Sequence, residues 1–284
     1  MAGWDQWIGR TEARADRADE ALCRRWLAMF DLPAPADGAM PQGFHFCLCT
    51  PEAPTAALGP DGHPARDQSP ASFFPPLPLP RRMWAASAIR FLAPIRPGAV
   101  IGRTSRIVAV SEKDGSTGRL GFVEVEHVTT ADKVEAVRER QTLVYRGAAA
   151  PDAPLSPPPP GDGTFAADEW DTVRSIVPSA TLLFRYSALT FNTHRIHYDA
   201  PYAREAERYR GLVVHGPLIA SLLLQLAAGH YGDNRLKTFD FRAVSPAIAG
   251  EPLHLALRGT DDALELGAFA SDGRQTLKAS AGWA

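Results

Sequence analysis

Residues 184–199 read F-R-Y-S-A-L-T-F-N-T-H-R-I-H-Y-D, and residues 211–229 read G-L-V-V-H-G-P-L-I-A-S-L-L-L-Q-L-A-A-G. The second stretch is an apolar helix over 217–228. Pro217 suits its first turn, where a missing N–H costs nothing, and Gly229 and Gly232 are expected to stop it. Four strand patterns follow it, at 236–244, 252–258, 263–270 and 276–283, so the helix is expected to lie inside an antiparallel sheet.

The first half echoes this arrangement. Strand patterns cover 83–95, 100–110, 120–130 and 134–145, with Asp114-Gly115 as a turn between two of them. F-V-E-V-E-H-V-T alternates as a sheet with one wet face does. Phe91 precedes Pro94-Ile-Arg-Pro-Gly98, and Phe241 precedes Pro246-Ala-Ile-Ala-Gly250, with the same Pro-to-Gly spacing before further strands. Two copies of one α+β unit account for this repeat. A long helix wrapped by an antiparallel sheet is a hot-dog unit, so the expected fold is a double hot dog. Its first copy has moved or lost the central helix, because 50–82 holds no apolar helical pattern.

Residues 11–30 read as one helix, with Thr11 as its cap, acidic residues early and arginines late. F-H-F-C-L-C at 44–49 reads as a strand. Residues 50–82 are rich in Pro, Gly and Asp, and a loop of that length inside a domain usually serves function. Residues 147–163 form a proline-rich linker by composition. The expected division is therefore a first unit over 1–146, a linker over 147–170 and a second unit over 171–284.

The chain has 284 residues, 45% of them hydrophobic, and a net charge of −2 from 30 basic and 32 acidic residues. That balance gives no nucleic-acid-binding face. No apolar run is long enough to span a membrane, and the first residues resemble neither a signal nor a transit peptide. Cys23, Cys47 and Cys49 point to a reducing compartment rather than a disulfide framework. A cytoplasmic protein is the expectation.

The polar residues between the two quoted stretches are the candidates for chemistry. His194 and His197 titrate near neutral pH and suit proton transfer. Asn192 can donate and accept, so it can orient a water or a carbonyl, or simply cap a turn. Gly216 opens the helix, where free N–H groups suit developing negative charge; close packing alone would also select glycine there. The pair His194 and His197, with Asp199 nearby, could be read as metal ligands, but a clear third ligand is not evident. Arg195, Arg204, Arg208 and Arg210 could attract an anionic carrier or form a solvated face. Asp61-Gly62 looks like a turn only.

Phe191-Asn192-x-His194-Arg195-Ile196-His197-Tyr198-Asp199 and Gly211-Leu-Val-Val-His215-Gly216-Pro217-Leu resemble the MaoC-like hydratase/dehydratase superfamily. The similarity is to its branch of mesaconyl-C4-CoA hydratases and mitochondrial 3-hydroxyacyl-thioester dehydratases. Leu58-Gly59-x-Asp61-Gly62-His63-Pro64, Pro78-Leu-Pro80-Arg81-Arg82-Met83-Trp84-Ala85 and Gln141-x-Leu-Val-Tyr145-Arg146 resemble that branch's first domain. The resemblance implies reversible hydration of a 2-enoyl thioester of CoA or acyl-carrier protein, with no cofactor and no metal, by a homodimer. It places His197, His194, Asn192 and Gly216 in catalysis, and Arg195, Tyr198, His215 and Trp84 against substrate. The wider superfamily carries an Asp at the position of Asn192, so the usual acid/base division is altered here. A thioesterase using Asp199, or a non-catalytic acyl-CoA-binding paralogue, are the alternatives. Because every proton-transfer candidate of weight lies after residue 180, the chemistry is expected in the second half and acyl-chain cover in the first.

Overall fold

The computed structural model describes residues 3–115, 118–259 and 263–283. The first half runs β1 (Thr11–Arg17), α1 (Glu20–Met29), β2 (Arg81–Phe91), β3 (Val100–Gly115), β4 (Gly118–Ala131) and β5 (Val134–Arg146). The second runs β6 (Thr172–Ile176), α2 (Ala180–Thr190), α3 (Ala200–Glu205), α4 (Gly216–Tyr231), β7 (Thr238–Ala243), β8 (Leu253–Gly259), β9 (Leu264–Ala270) and β10 (Gln275–Gly282). One antiparallel sheet contains all ten strands in the order β1-β3-β4-β5-β2-β7-β10-β9-β8-β6. Each half therefore has the same connectivity, and the halves meet where Ala86–Arg90 of β2 pairs with Arg242–Thr238 of β7. This is the double hot-dog fold.

The sequence repeat has a geometric cause. Gly98 and Gly250 both adopt left-handed backbone, at φ +87° and +84°, in the turn that leads to the third strand of each half. Glycine meets that conformation without a Cβ penalty.

α4 is leucine- and alanine-rich and packs on β8, β9 and β10. Leu218, Ala220 and Leu223 are fully buried, as a helix apolar on most sides requires. Gly229 lies inside it; the helix ends at Gly232, where φ reaches +95°. In the first half α1 follows β1 as α2 follows β6, and it packs against α2, so among the described residues no helix between β1 and β2 matches the sixteen-residue α4. Trp26 of α1, fully buried, packs edge-on against Phe30 and Phe44.

Three expectations give way. Residues 11–30 are not one helix: Thr11–Arg17 forms an edge strand on β3, and Asp19, not Thr11, caps α1 by accepting from the Leu22 N–H. Along β1, Glu12, Arg14 and Asp16 turn inward and the alanines outward, so pairing overrides the helical propensity of those residues. Phe44–Cys47 is a 3-10 turn with every side chain buried, entered through Gly43 at φ +97°; total burial, not alternation, explains its apolar run. Residues 171–190, left without elements by the sequence, hold β6 and α2. The turn after Asp114-Gly115 continues into residues outside the described ones.

The proline-rich segment is pinned rather than free. The Ser156 N–H donates to the Arg208 carbonyl, the Arg210 N–H donates to the Ser156 carbonyl, and Arg208 Nε donates to the Ala153 carbonyl. No helix among the described residues is long and apolar enough to cross a membrane.

Candidate active site

A cavity of about 1180 Å³ lies across both halves. It is lined by Trp84 from β2, by Asn192, His194 and His197 from the loop after α2, by His215, Gly216 and Pro217 at the start of α4, and by His63 from the long first-half loop.

The end of α2 shapes the loop. Phe191 takes left-handed backbone at φ 48°, and the Asn192 N–H bonds back to the Ser187 carbonyl. Asn192 Oδ1 then accepts the His194 N–H at 3.0 Å, an Asx turn that leaves the carboxamide nitrogen as its remaining donor group. The short turn Arg195–His197 carries His197 back inward.

His197 Nδ1 lies 2.7 Å from the Val213 carbonyl. A carbonyl only accepts, so Nδ1 carries the proton and Nε2 keeps a free lone pair. Burial pushes the His197 pKa down to about 4, against the opposing bond to Val213. Its ring stacks on His215 at 3.5 Å between centroids. His215 Nε2 is held by Ser187 Oγ at 2.9 Å, while its Nδ1 has no hydrogen-bond partner among the described residues. Burial also drives His194 and His215 well down, so this cluster is neutral at physiological pH.

Gly216 is the first residue of α4, and its N–H has no acceptor within the helix. A Cβ added there would come no nearer than 3.9 Å to the Trp84 carbonyl. The protein itself leaves room for a side chain, so any requirement for glycine comes from what enters the cavity. Trp84 stands where the β2–β5 register shifts between Trp84 and Ala86; such a bulge re-aims a side chain beside a site. Its Nε1 is fixed on Ser87 Oγ at 2.8 Å.

Arg195 and Tyr198 are not in the cavity wall. Arg195 forks onto Asp199 Oδ2 at 2.7 and 3.0 Å and covers the Tyr202 ring; Tyr198 is 49% exposed. The turn that points 194 and 197 inward points 195 and 198 outward. Asp199 accepts the Tyr202 N–H at the start of α3, so it serves as a helix cap.

The sequence reading takes Asp61-Gly62 as a turn only and gives His63 no part in proton transfer. His63 Nδ1 lies 3.0 Å from Asp61 Oδ2, and the His63 ring sits 4.2 Å from that of His194. Asp61, His63 and His194 each bring a possible ligand atom to within 4.8 Å of the others. The Asp61 carboxylate is already engaged by His63, which favours proton transfer over metal binding there. The available signal was an Asp and a His two residues apart across a glycine. That spacing lets a carboxylate reach Nδ1 of its own loop.

The hydroxyacyl-thioester dehydratase type 2 model matches residues 43–249. The mesaconyl-C(4)-CoA hydratase of Chloroflexus aurantiacus is 40% identical over 284 residues, covering 98% of this chain and 97% of that protein. A MaoC-like dehydratase structure from Phytophthora capsici superposes with a TM-score of 0.72 at 14% identity, over 99% of this chain and 97% of that one. A Mycobacterium tuberculosis protein described as having a double hot-dog fold superposes at 0.56 and 14% identity, over 96% and 95%. The family match spans most of the chain, and the curated relative aligns from end to end; the chain belongs to the hydroxyacyl-thioester dehydratase type 2 family of hydro-lyases.

Proposed function

We propose that this protein adds water reversibly across the C2=C3 bond of a 2-enoyl thioester, with His197 as the base that activates the water. The observation that carries the reading is the pairing of His197 Nδ1 with the Val213 carbonyl, which leaves Nε2 basic in the cavity that also holds the first amide of α4. The thioester carbonyl accepts from the Gly216 N–H, which stabilises enolate character as the water oxygen bonds to C3. His197 Nε2 takes the water proton. Asn192 and His194 position the water, and Trp84 and His215 form the acyl wall. Neither a metal nor a cofactor is required for these steps.

The thioester is proposed to be that of CoA. A branched dicarboxylic enoyl-CoA such as mesaconyl-C4-CoA is the first candidate, supported by the 40% identity to the hydratase of that name. We assign residues 1–146 to a substrate-covering unit, 147–170 to the linker and 171–284 to the unit that holds the base. A cytoplasmic homodimer is the proposed form; the three free buried cysteines suit a reducing compartment, and light scattering reads the oligomeric state.

A panel of enoyl-CoAs followed by the loss of conjugated-thioester absorbance tests the reaction. A parallel thiol assay separates it from thioester hydrolysis. The thioesterase alternative has little to stand on, because Asp199 is engaged as a cap and by Arg195. Loss of absorbance without thiol release is the expected result; thiol release alone would overturn the hydratase reading.

A further inference from the structure

Hydration needs a second proton step, delivery of a proton to C2, and none of the three residues of the 192–197 loop supplies it well. Asn192 has no titratable proton, and its Oδ1 is occupied by the His194 N–H. His194 has no carboxylate partner; its ring lies between those of His63 and His197, at 4.2 and 5.5 Å. His197 is committed to the water.

The first half holds a group with the right construction. His63 presents Nδ1 to the Asp61 carboxylate at 3.0 Å. A carboxylate only accepts, so Nδ1–H points at it and Nε2 is the exchanging nitrogen. His63 and His197 are thus built alike, each with Nδ1 fixed and Nε2 free, but they differ in what fixes them. A neutral carbonyl holds His197, whereas an anion holds His63 and stabilises its protonated form. Both partners favour the protonated imidazole, the anion more strongly than the carbonyl, so of the two His63 is the better placed to carry a proton and His197 to accept one.

The loop that carries the pair is built onto the 192–197 loop. The Arg195 N–H donates to the Asp61 carbonyl at 2.9 Å, Thr193 Oγ1 donates to the Gly62 carbonyl, and Arg195 Nη1 donates to the Pro60 carbonyl at 2.9 Å. Within the loop, the His63 N–H donates to Asp61 Oδ1 at 3.0 Å, and the Gly59 N–H donates to the His63 carbonyl at 2.7 Å. His63 is therefore held by the backbone of both halves.

We propose that His63, oriented by Asp61, is the second proton-transfer residue of this site and exchanges the proton at C2 of the thioester. The inference rests on the hydratase reading. In hydration, His197 Nε2 takes one proton of water, the hydroxyl oxygen bonds to C3, and the π electrons move toward C2 and the thioester carbonyl. The proton on His63 Nε2 then bonds to C2, the net change being one water added. His197 loses its proton to solvent and His63 regains one, which resets the site. Dehydration runs the same steps backward. In this scheme Asp61 is a positioning residue and takes the place of the carboxylate absent at position 192. The charged and titratable groups that act on His63 are Asp61, Arg82, Glu207, His194 and His197. Burial lowers its pKa and the Asp61 hydrogen bond opposes that shift.

The experiment compares wild type, His63→Gln, Asp61→Asn and His197→Gln on whichever enoyl-CoA the wild type hydrates, across pH, with thermal melts as controls. His63→Gln should lower kcat by about 10²–10⁴-fold with KM nearly unchanged, the range of a positioned acid or base. Hydration requires protonated His63, so its rate falls as pH rises through the pKa of that group. Removing the Asp61 charge lowers that pKa, so in Asp61→Asn the alkaline limb should move to lower pH, a change no purely structural role produces. A folded His63→Gln protein with kcat within about threefold of wild type, beside an inactive His197→Gln, would overturn the inference and leave the hydratase reading intact. If His63→Gln fails to fold, an Asp61→Asn profile identical to wild type overturns it. A wild-type enzyme that hydrates nothing in the panel removes the reading and the inference together.

Discussion

Replacing Gly62 by alanine is the sharpest perturbation of this site that touches no titratable group. Gly62 sits at φ +87°, and an added Cβ would lie 1.9 Å from the Thr193 carbonyl oxygen and 2.9 Å from its carbon. Cβ contacts essentially never fall below 3.0 Å, so the 1.9 Å approach is short by about 1.1 Å. The obstacle is backbone on both sides, and no flexible side chain can yield. The loop bearing Asp61 and His63 must therefore move away from the loop bearing Asn192 and His194. A displacement of about 1 Å in a catalytic constellation can cost about 10²-fold in rate. Left-handed backbone adds about 1–2 kcal/mol of strain for alanine. Gly98→Ala separates the two effects, because Gly98 has the same φ of +87° and nothing within 4 Å of an added Cβ. Turnover and melting temperature are measured for both variants. Gly98→Ala should lose stability and keep its turnover; Gly62→Ala should lose both. Equal turnover in the two folded variants would refute the idea that docking of the first-half loop sets the geometry of the site.

Gly216→Val should stay folded and lose turnover. The protein leaves 3.9 Å of room for a Cβ, but the branches beyond it would crowd the N–H offered to the carbonyl, and one lost donor costs about 2.7–4 kcal/mol of barrier; wild-type turnover would remove the oxyanion role. Asn192→Asp should keep the loop, since a carboxylate oxygen accepts the His194 N–H as Oδ1 does now. The new charge raises the pKa of its histidine neighbours, so the acid limb of the rate profile should move to higher pH with activity partly retained; an unchanged profile would count against the cluster as the catalytic centre. In the wild type, the base must be neutral, so hydration should persist on the acid side until pH approaches the His197 pKa of about 4; an acid limb near pH 6.5 would exclude His197 as the base. Stability should fall earlier. His45 and His197 are buried with pKa values lowered to about 3 and about 4, so the unfolded chain binds their protons first. Each then contributes a loss of about 1.4 kcal/mol per pH unit below pH 6.5, which denaturant titrations between pH 7 and 4 would read; a flat stability across that range would refute it.

Much of this architecture was legible in the sequence, and the exceptions share a cause. Eight strands alternate or run apolar because they cover buried apolar clusters, and α4 reads as a helix because leucine and alanine fill it. β1 escaped notice because its alternation is inverted. Its period-2 signal lies in Glu12, Arg14 and Asp16, which face inward, so a search for apolar periodicity finds only a helix-forming composition. Arg14 donates to the Thr50 carbonyl and Asp16 accepts the Cys49 N–H, contacts that no local pattern encodes. In the site, His194, His197 and Gly216 cluster in sequence and in space. Asp61 and His63 join them only through the crossing of two loops from different halves. Arg195 and Tyr198 show the converse: they stand within the motif but the turn directs them out of the cavity.

The seam between β2 and β7 bears on how a chain of this kind can change over time. Two identical units assembled across such a seam would carry every substitution twice, so a group useful on one side would also have to be harmless on the other. Joining the units in one chain releases that constraint. Asn192 can stand where a carboxylate would serve, because a loop of the other unit can supply one, and that loop need not also work in its own unit. The cost is interdependence. Neither unit can be exchanged for a relative's without bringing matched residues at 60–63 and 193–195, so these short segments should vary together wherever such chains diverge.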